Sequence, residues 1–338
     1  MPTLDIFNDD AFSLASLTAR VNTEIGYVPG QIGASGLFEE DGVTTLSIMV
    51  ESKNGNLHLV EPTPRGGPGE NVAKGRRTLR SFVVPHYERN DAVMADEVHG
   101  VRAFGTETEV ETVLGVVDGK MARHTRDLDM TLEFSRVGCV KGNVVTRDGN
   151  VLANLYTEFD ISAPVDYSFA LSVDTTIVRK KAETLRYQIE DELDAPYSSM
   201  HAWCGDDFWQ ALIDHKSVRE AYLAAAKLNE TLGKSTDRID LGGIMFERYR
   251  TGKKAKAANG DALFIAAGEA RVVPMGVPEL FITRFAPADY METVNTKGLP
   301  RYSKQFAMKN GKGVELEVQS NHISLCTRPA VLRKAVQG

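Results

Sequence analysis

The chain has 338 residues, 42% of them apolar and 25% charged, which is the composition of an ordinary water-soluble globular protein. It has no run of 18 apolar residues that would span a membrane, and its N-terminus has neither the basic nor the apolar region of a signal peptide. The net charge of −7 argues against a general nucleic-acid-binding protein, and the 3 cysteines, which lack paired spacing, indicate a reducing compartment.

Residues 1–42 are predicted to form an extended arm. A short helix is indicated at about residues 10–22, and glycines then recur every three positions at Gly30, Gly33 and Gly36. This spacing differs from the G-x-G-x-x-G pattern, and no strand-then-helix frame surrounds it, so dinucleotide binding is not expected. Chain ends are usually frayed unless something holds them, so we expect this arm to be held on a surface.

Two strand-like segments at residues 43–60 and 78–85 predict a two-stranded ribbon. Thr44, Leu46, Ile48 and Val50 share one face of the first strand. The connection at residues 61–77 is rich in proline and glycine. A two-stranded ribbon alone is only marginally stable in water, so we expect this one to lie on another body.

The ribbon is basic, whereas the rest of the chain is acidic. Residues 62–80 contain five basic side chains and Glu70, a net charge of +4, so the remainder of the chain carries −11. A basic ribbon and an acidic body favour docking onto another copy of that body. The alternatives are a disordered basic surface loop and, less favoured, a phosphate-binding loop at residues 69–75, which lacks the G-K-[ST] ending. The basic residues expected at the inter-subunit contact are Arg65, Lys74, Arg76, Arg77 and Arg80.

Residues 106–142 predict one helix of about 50 Å, long enough to be the spine of the whole molecule. Thr106 and Glu109 form a capping-box pattern, and Gly142 is a suitable end. Gly115 and Gly119 each weaken a helix by about 1 kcal/mol relative to alanine, so we expect a bend or a close contact there. The apolar residues spaced by three and four positions along one face include Val110, Leu114, Val117, Met121, Leu128 and Leu132.

After this helix, Asp148-Gly149 between two apolar runs predicts a β-hairpin, which residues 156–161 would extend. Residues 174–193 predict a helix, and residues 206–213 and 217–228 predict two shorter ones. Apolar runs follow between residues 239 and 285, so an α+β module is expected at about residues 165–285. The tail from residue 286 predicts three further strands, at 303–308, 314–318 and 322–327.

No catalytic, cofactor-binding or metal-binding residues are predicted. The most site-like cluster is His201 and Cys204, followed by Asp206 and Asp207, but it lacks a family signature and the additional ligands that zinc requires. We interpret it as a structural loop with a helix cap at one of the aspartates. A second basic cluster at residues 248–256, with Arg248, Arg250 and three lysines, is interpreted as a charged hairpin turn.

Nine short segments in order resemble the lambda-type phage major capsid proteins of the capsid protein E family, over nearly the whole chain. They are FSLASLT at 12–18, VPGQIG at 28–33, GLF at 36–38, VTT at 43–45, GNL at 55–57, PRGGPG at 64–69, YSK at 302–304, ELEVQSN at 315–321 and CTRPAVL at 326–332.

The resemblance implies an α+β fold of the Hong Kong 97 phage capsid type. It would divide the chain into an N-terminal arm (1–42), an E-loop (43–90), a peripheral (P) domain with the spine helix (91–164), an axial (A) domain (165–285) and a return to the P domain (286–338). The implied function is that of a major capsid protein, not an enzyme, which self-assembles in the host cytoplasm into the icosahedral head shell of a tailed double-stranded DNA bacteriophage or prophage.

The partners that the resemblance implies are other copies of the chain, in pentamers and hexamers, together with a portal and a decoration protein. Double-stranded DNA would be packaged without specific recognition, and no membrane is involved. Some relatives begin with a fused scaffolding segment, for which residues 1–42 leave no room, so a separate scaffolding protein is expected. Two other functions stay open: the shell of a cellular encapsulin-type nanocompartment, and an enzyme or binding protein with a dimerisation arm.

Overall fold

The computed structural model describes residues 10–23, 30–53, 77–98, 109–221, 238–250, 265–309 and 311–338. The α-helices within these ranges include α1 (Leu14–Thr23), α2 (Gln31–Ala34), α3 (Ala95–Val98), α4 (Glu109–Lys141), α5 (Leu155–Glu158), α6 (Val178–Leu193) and α7 (Asp206–Asp214). The strands are β1 (Glu39–Gly42), β2 (Ser47–Lys53), β3 (Arg77–Val83), β4 (Glu88–Met94), β5 (Asn143–Val145), β6 (Val151–Asn154), β7 (Tyr167–Ser168), β8 (Ser199–Cys204), β9 (Arg238–Leu241), β10 (Ile244–Arg248), β11 (Glu269–Met275), β12 (Phe281–Phe285), β13 (Tyr302–Ala307), β14 (Gly313–Gln319), β15 (His322–Cys326) and β16 (Arg333–Val336).

The largest sheet has six strands in the order β7-β16-β11-β8-β10-β9. Strand β8 runs parallel to β10, and β11 is antiparallel to both β8 and β16. The facing residues Ala202, Phe246 and Val272 are fully buried, and α6 and α7 pack against these strands. Strands β8, β10 and β11 and helices α6 and α7 lie within residues 165–285, where an α+β module was expected.

The strands that form this sheet do not all come from residues 165–285, the range expected for the module. Its strand β16 comes from the C-terminal tail, which was expected to return entirely to the other module. Strand β12, expected in this module, instead pairs with β1 and β15 in a separate three-stranded sheet. The reason is that strand pairing depends on packing between distant segments, which local apolar patterns do not report.

Two smaller sheets contain five further strands. Strands β13, β14 and β4 form an antiparallel sheet, so the tail pairs with the strand that leaves the ribbon. Strands β5 and β6 form the predicted hairpin, and Gly149 in its turn has a φ of +84°, which glycine adopts readily. Residues 156–161 were expected to extend this hairpin. The chain forms α5 there instead, because the Asn154 side chain accepts hydrogen bonds from the backbone N–H groups of Tyr156 and Thr157.

The long helix is present as α4, with 33 residues from Glu109 to Lys141. Gly142 follows it with a φ of +81°, in agreement with the predicted end, whereas Thr106 lies outside the described residues. A bend or a close contact was expected at Gly115 and Gly119. Among the described residues, no atom outside the helix's own backbone lies within 4 Å of a Cβ placed at either position, so no close contact is found there. Within the described ranges, no helix is both long enough and apolar enough to cross a membrane.

Helix α4 joins two hydrophobic cores. Val117, Met121 and Leu128 pack in one core with α1 and β14. Val137 and Val140, near its other end, belong to the core of the large sheet. The helix therefore connects these two cores.

Candidate assembly surface

The two-stranded ribbon presents one buried face and one exposed face. In its register Ile48 lies opposite Phe82 and Val50 opposite Arg80, and these side chains face the body of the same subunit, where Ile48, Val50 and Phe82 join its core. Successive residues of a strand point to opposite faces, so Met49, Leu79 and Val83 point away. These three side chains are 65%, 61% and 75% exposed.

The base of the ribbon is anchored to its own subunit by Arg80. Its guanidinium donates a hydrogen bond from Nη2 to Asp160 Oδ2 at 2.9 Å and another from Nε to the backbone carbonyl of Glu158. The same group lies over the Phe159 ring, 4.9 Å from its centroid, and this ring stacks on Phe82. Arg80 was expected to meet an acidic residue of a neighbouring subunit. It contacts its own subunit because it shares the inward face of the ribbon with Val50.

The other basic residues expected at the contact fall where no side chain is described. Arg65, Lys74 and Arg76 lie outside the described residues, and only the backbone of Arg77 is described, at the start of β3. The predicted helix residues Val117, Met121, Leu128 and Leu132 are buried, whereas the side chains of Val110 and Leu114 lie outside the described part of the chain.

The N-terminal arm is held by a buried carboxylate that sequence reasoning did not identify. Glu133, on α4, accepts hydrogen bonds from the backbone N–H groups of Ile32 at 2.8 Å and Gly33 at 2.9 Å, and from the Tyr249 hydroxyl at 2.8 Å. A Cβ at Gly30 would lie only 2.1 Å from this side chain. The glycine spacing was the available signal, because a backbone that must approach another group closely favours glycine. The expectation that something holds the arm is confirmed for this segment.

The cluster at residues 201–207 does not form a nucleophilic pair. His201 and Cys204 lie three positions apart on β8, so they point to opposite faces of the sheet. His201 Nε2 lies 3.0 Å from Glu247 Oε2, and burial lowers the pKa of this histidine. Cys204 is fully buried, and burial raises its thiol pKa well above the ordinary value, so the reactive thiolate is suppressed.

The acidic and basic residues near this cluster have structural partners. An aspartate, Asp206 or Asp207, was expected to cap a helix here. The N-cap of α7 is instead Gly205, and Asp206 is the first residue of the helix. Its Oδ1 accepts a hydrogen bond from Arg248 Nε at 2.7 Å. The remaining lysines of the second basic cluster, Lys253, Lys254 and Lys256, lie outside the described residues.

Comparison with known proteins gives one consistent result. A family model described as phage major capsid protein E matches residues 13–337. The major capsid protein of Pseudomonas phage KPP10 is 28% identical over 316 residues, covering 88% of this chain and 90% of the relative. That of Salmonella phage Felix O1 (isolate Felix O1-VT1) is 26% identical over 351 residues, with 95% of each covered.

A solved structure shares the fold. It is the crystal structure of a protein described as a capsid protein of a prophage of E. coli CFT073. The TM-score is 0.60 at 13% sequence identity, and the match covers 96% of this chain and 99% of that one.

Proposed function

This chain belongs to the phage major capsid protein E family, and we propose that its two-stranded ribbon is the segment by which each capsid subunit overlies the next. The protein is a major capsid protein with the Hong Kong 97-like α+β fold, and its role is structural. It forms the icosahedral head shell, and hence the virion capsid, of a tailed bacteriophage or prophage, after assembly in the host cytoplasm.

The exposed apolar face of the ribbon carries this proposal. Met49, Leu79 and Val83 leave three large apolar side chains in water, although the opposite face of the same strands is buried. Full burial of such a side chain is worth about 1.5–3 kcal/mol, so covering this face with a neighbouring subunit would stabilise the shell. Several large apolar side chains exposed on one face of a ribbon are typical of interaction sites.

We propose that the subunit divides as an arm (1–42), an E-loop (43–90), a P domain with α4 (91–164), an A domain (165–285) and a return segment (286–338). Strand β16 of the return segment contributes to the A-domain sheet. Arg80 ties the base of the ribbon to α5 and the turn that follows. Arg65, Lys74, Arg76 and Arg77 would meet acidic surfaces of a neighbour, while Arg80 acts within its own subunit.

A triple variant, Met49→Ser with Leu79→Ser and Val83→Ser, tests this arrangement. We expect the subunit to stay folded, because these side chains are exposed, and complete shells to be lost in negative-stain electron microscopy and sedimentation. Val165→Ser is the matched control, because Val165 is 89% exposed and lies outside the ribbon. Normal shells from the triple variant would exclude the ribbon face as an essential contact.

The charge contribution is tested separately by reversing Arg65, Arg76 and Arg77 to glutamate. The reversed charges would repel the acidic body of the neighbour, and salt screens this repulsion, with a Debye length of about 10 Å at 0.1 M. Assembly should therefore fail most severely at low ionic strength. Assembly that is unaffected at low salt would show that these charges do not guide docking.

We propose that the subunit acts without catalytic turnover, and that a separate scaffolding protein, a portal and a decoration protein serve the same shell. Double-stranded DNA would be packaged inside without specific recognition.

The encapsulin-type alternative predicts a different cargo. Nucleic acid inside purified particles supports the phage shell, and an enclosed enzyme would support the nanocompartment.

A further inference from the structure

A group of polar side chains converges beside the strand that leaves the ribbon. Glu88 on β4 lies opposite Gln319 on β14, and Asn90 lies opposite Glu317, so all four share one face of this antiparallel sheet. Asp289, from the segment after β12, completes the group with His86. The ligand atoms of His86, Glu88 and Asp289 all lie within 4.8 Å of one another.

In the part of the chain that the structure describes, the basic side chain beside these carboxylates is that of His86. Among the described residues, no lysine or arginine nitrogen lies within 4.0 Å of the Glu88, Asp289 or Glu317 carboxylates. Lys304 lies opposite Glu317 on the neighbouring strand, but its Nζ binds Glu292 at 2.6 Å. Three carboxylates therefore lie close together without a lysine or arginine partner from the described ranges.

The orientation of His86 points to a cation. Asn321 Nδ2 donates to the Pro287 carbonyl at 2.9 Å, which directs Asn321 Oδ1 towards His86 Nδ1 at 2.8 Å. An Nδ1 that donates to this oxygen leaves Nε2 as the ring nitrogen that is available to a metal ion. This nitrogen lies 3.1 Å from Glu88 Oε2, so a cation bound beside them would contact both atoms.

Gln319 supplies an independent indication. Its side chain is fully buried, its Nε2 donates to Asp289 Oδ1 at 2.6 Å and also to Glu317, and its Oε1 has no hydrogen-bond partner. A buried polar atom without a partner costs about 1–3 kcal/mol. A half-turn of this amide would bring its oxygen towards the group, where a bound cation would be its partner.

We propose that His86 Nε2 and the carboxylates of Glu88 and Asp289 bind one divalent transition-metal ion of the zinc class. Imidazole nitrogen together with carboxylate oxygen is a ligand set that Zn²⁺ accepts, whereas Mg²⁺ and Ca²⁺ prefer oxygen alone. Asn321 orients the imidazole, as the outer partners of metal-binding histidines generally do. The ion would link β4, at the exit of the ribbon, to the segment between β12 and β13.

The sequence contains no motif for this site, because Asp289 follows His86 and Glu88 by about 200 residues and meets them only in the folded subunit. The test does not depend on shell formation. Metal content and affinity are measured on the purified full-length chain, whether assembled or not.

The experiment is titration calorimetry of the metal-stripped protein with ZnCl₂, and separately with MgCl₂ and CaCl₂. We expect one Zn²⁺ per chain and at least about tenfold weaker Zn²⁺ binding in His86→Gln and in Asp289→Asn. Asp148→Asn is the matched control, because Asp148 is an exposed carboxylate in the hairpin turn, and its affinity should stay within twofold of the parent. Saturating Zn²⁺ should raise the unfolding temperature of the parent and the control, but not of the two site variants.

Circular dichroism establishes that both site variants are folded, which is expected because His86 and Asp289 are exposed. The proposal is overturned if Zn²⁺ does not bind, or if it binds equally to the parent and to His86→Gln. Preferential binding of Ca²⁺ or Mg²⁺ would also overturn it, because the imidazole would then have no role.

Discussion

Arg301 Nε donates a hydrogen bond to Asp129 Oδ1 at 3.0 Å, and both side chains are only 4% exposed. Asp129 belongs to α4, and Arg301 lies just before β13 in the tail. The same guanidinium donates from Nη1 to the Val21 carbonyl of α1 at 3.1 Å. One buried arginine thus joins the long helix, the N-terminal helix and the C-terminal tail.

Replacing one partner of this buried pair should strongly destabilise the subunit. In Arg301→Met the Asp129 carboxylate would remain buried without its cation, and such losses cost about 3–5 kcal/mol. Urea denaturation of the unassembled subunit measures the change. Arg89→Met is the matched control: Arg89 pairs with Asp127 at 2.6 Å, but these side chains are 53% and 44% exposed, so we expect about 0–1 kcal/mol. Equal effects of the two variants would contradict this assignment.

Three glycines of α4 should respond differently to alanine. Gly115 and Gly119 have space for a methyl group, so each replacement should stabilise the unassembled subunit by about 1 kcal/mol through helix propensity. At Gly138 a Cβ would lie 3.0 Å from the Asn143 carbonyl oxygen and 3.1 Å from Val144 Cα, both in the backbone of the adjoining hairpin. Gly138→Ala should therefore lower the unfolding temperature, although it changes the same residue type in the same helix. A higher unfolding temperature for all three variants would show that the hairpin adjusts easily.

His322 should make the subunit less stable in acid. This ring is fully buried and stacks on Tyr87, with 4.8 Å between centroids, and burial lowers its pKa from 6.5 to about 3. Below pH 6.5 the unfolded chain binds a proton that the folded chain excludes, so stability is complete above this pH and falls as the pH decreases towards 3. The slope from this one group approaches about 1.4 kcal/mol per pH unit.

The measurement is the free energy of unfolding of the parent and of His322→Gln between pH 6.5 and pH 5. The variant should show a smaller slope, whatever its absolute stability. This range lies above the ordinary carboxylate pKa values, and the lowered pKa of Asp91 keeps its titration below the range. Parallel slopes in the two proteins would mean that His322 becomes protonated in the folded state.

The three cysteines should be unreactive in the folded subunit. Cys139, Cys204 and Cys326 are buried and free of disulfides, and burial raises all three thiol pKa values, that of Cys326 to about 12. The thiolate is the reactive form, so a thiol reagent at pH 8 should modify the native protein only slowly. In denaturant it should detect 3 thiols per chain. Rapid modification of the native protein would reveal a local opening near one of these cysteines.

The local elements were largely determined by the sequence alone. Helix α4 and its end at Gly142, the hairpin turn at Gly149 and the extent of α7 agree with apolar periodicity and turn chemistry. Each of these depends on residues a few positions apart, so the relevant interactions can be read along the chain. The predicted start of α6 was early by about one turn, since Ile177 is its N-cap.

The tertiary structure alone decided which distant segments meet. Strand β16 enters the large sheet between β7 and β11, and Arg80 faces its own subunit because the inward side of the ribbon packs on Phe159. Glu133 meets the backbone of α2 about a hundred residues away, and His86 meets Asp289 across the fold. A side chain's own sequence surroundings set its helical or strand geometry. Its partner is chosen by packing and burial among segments that are brought together only when the whole core forms.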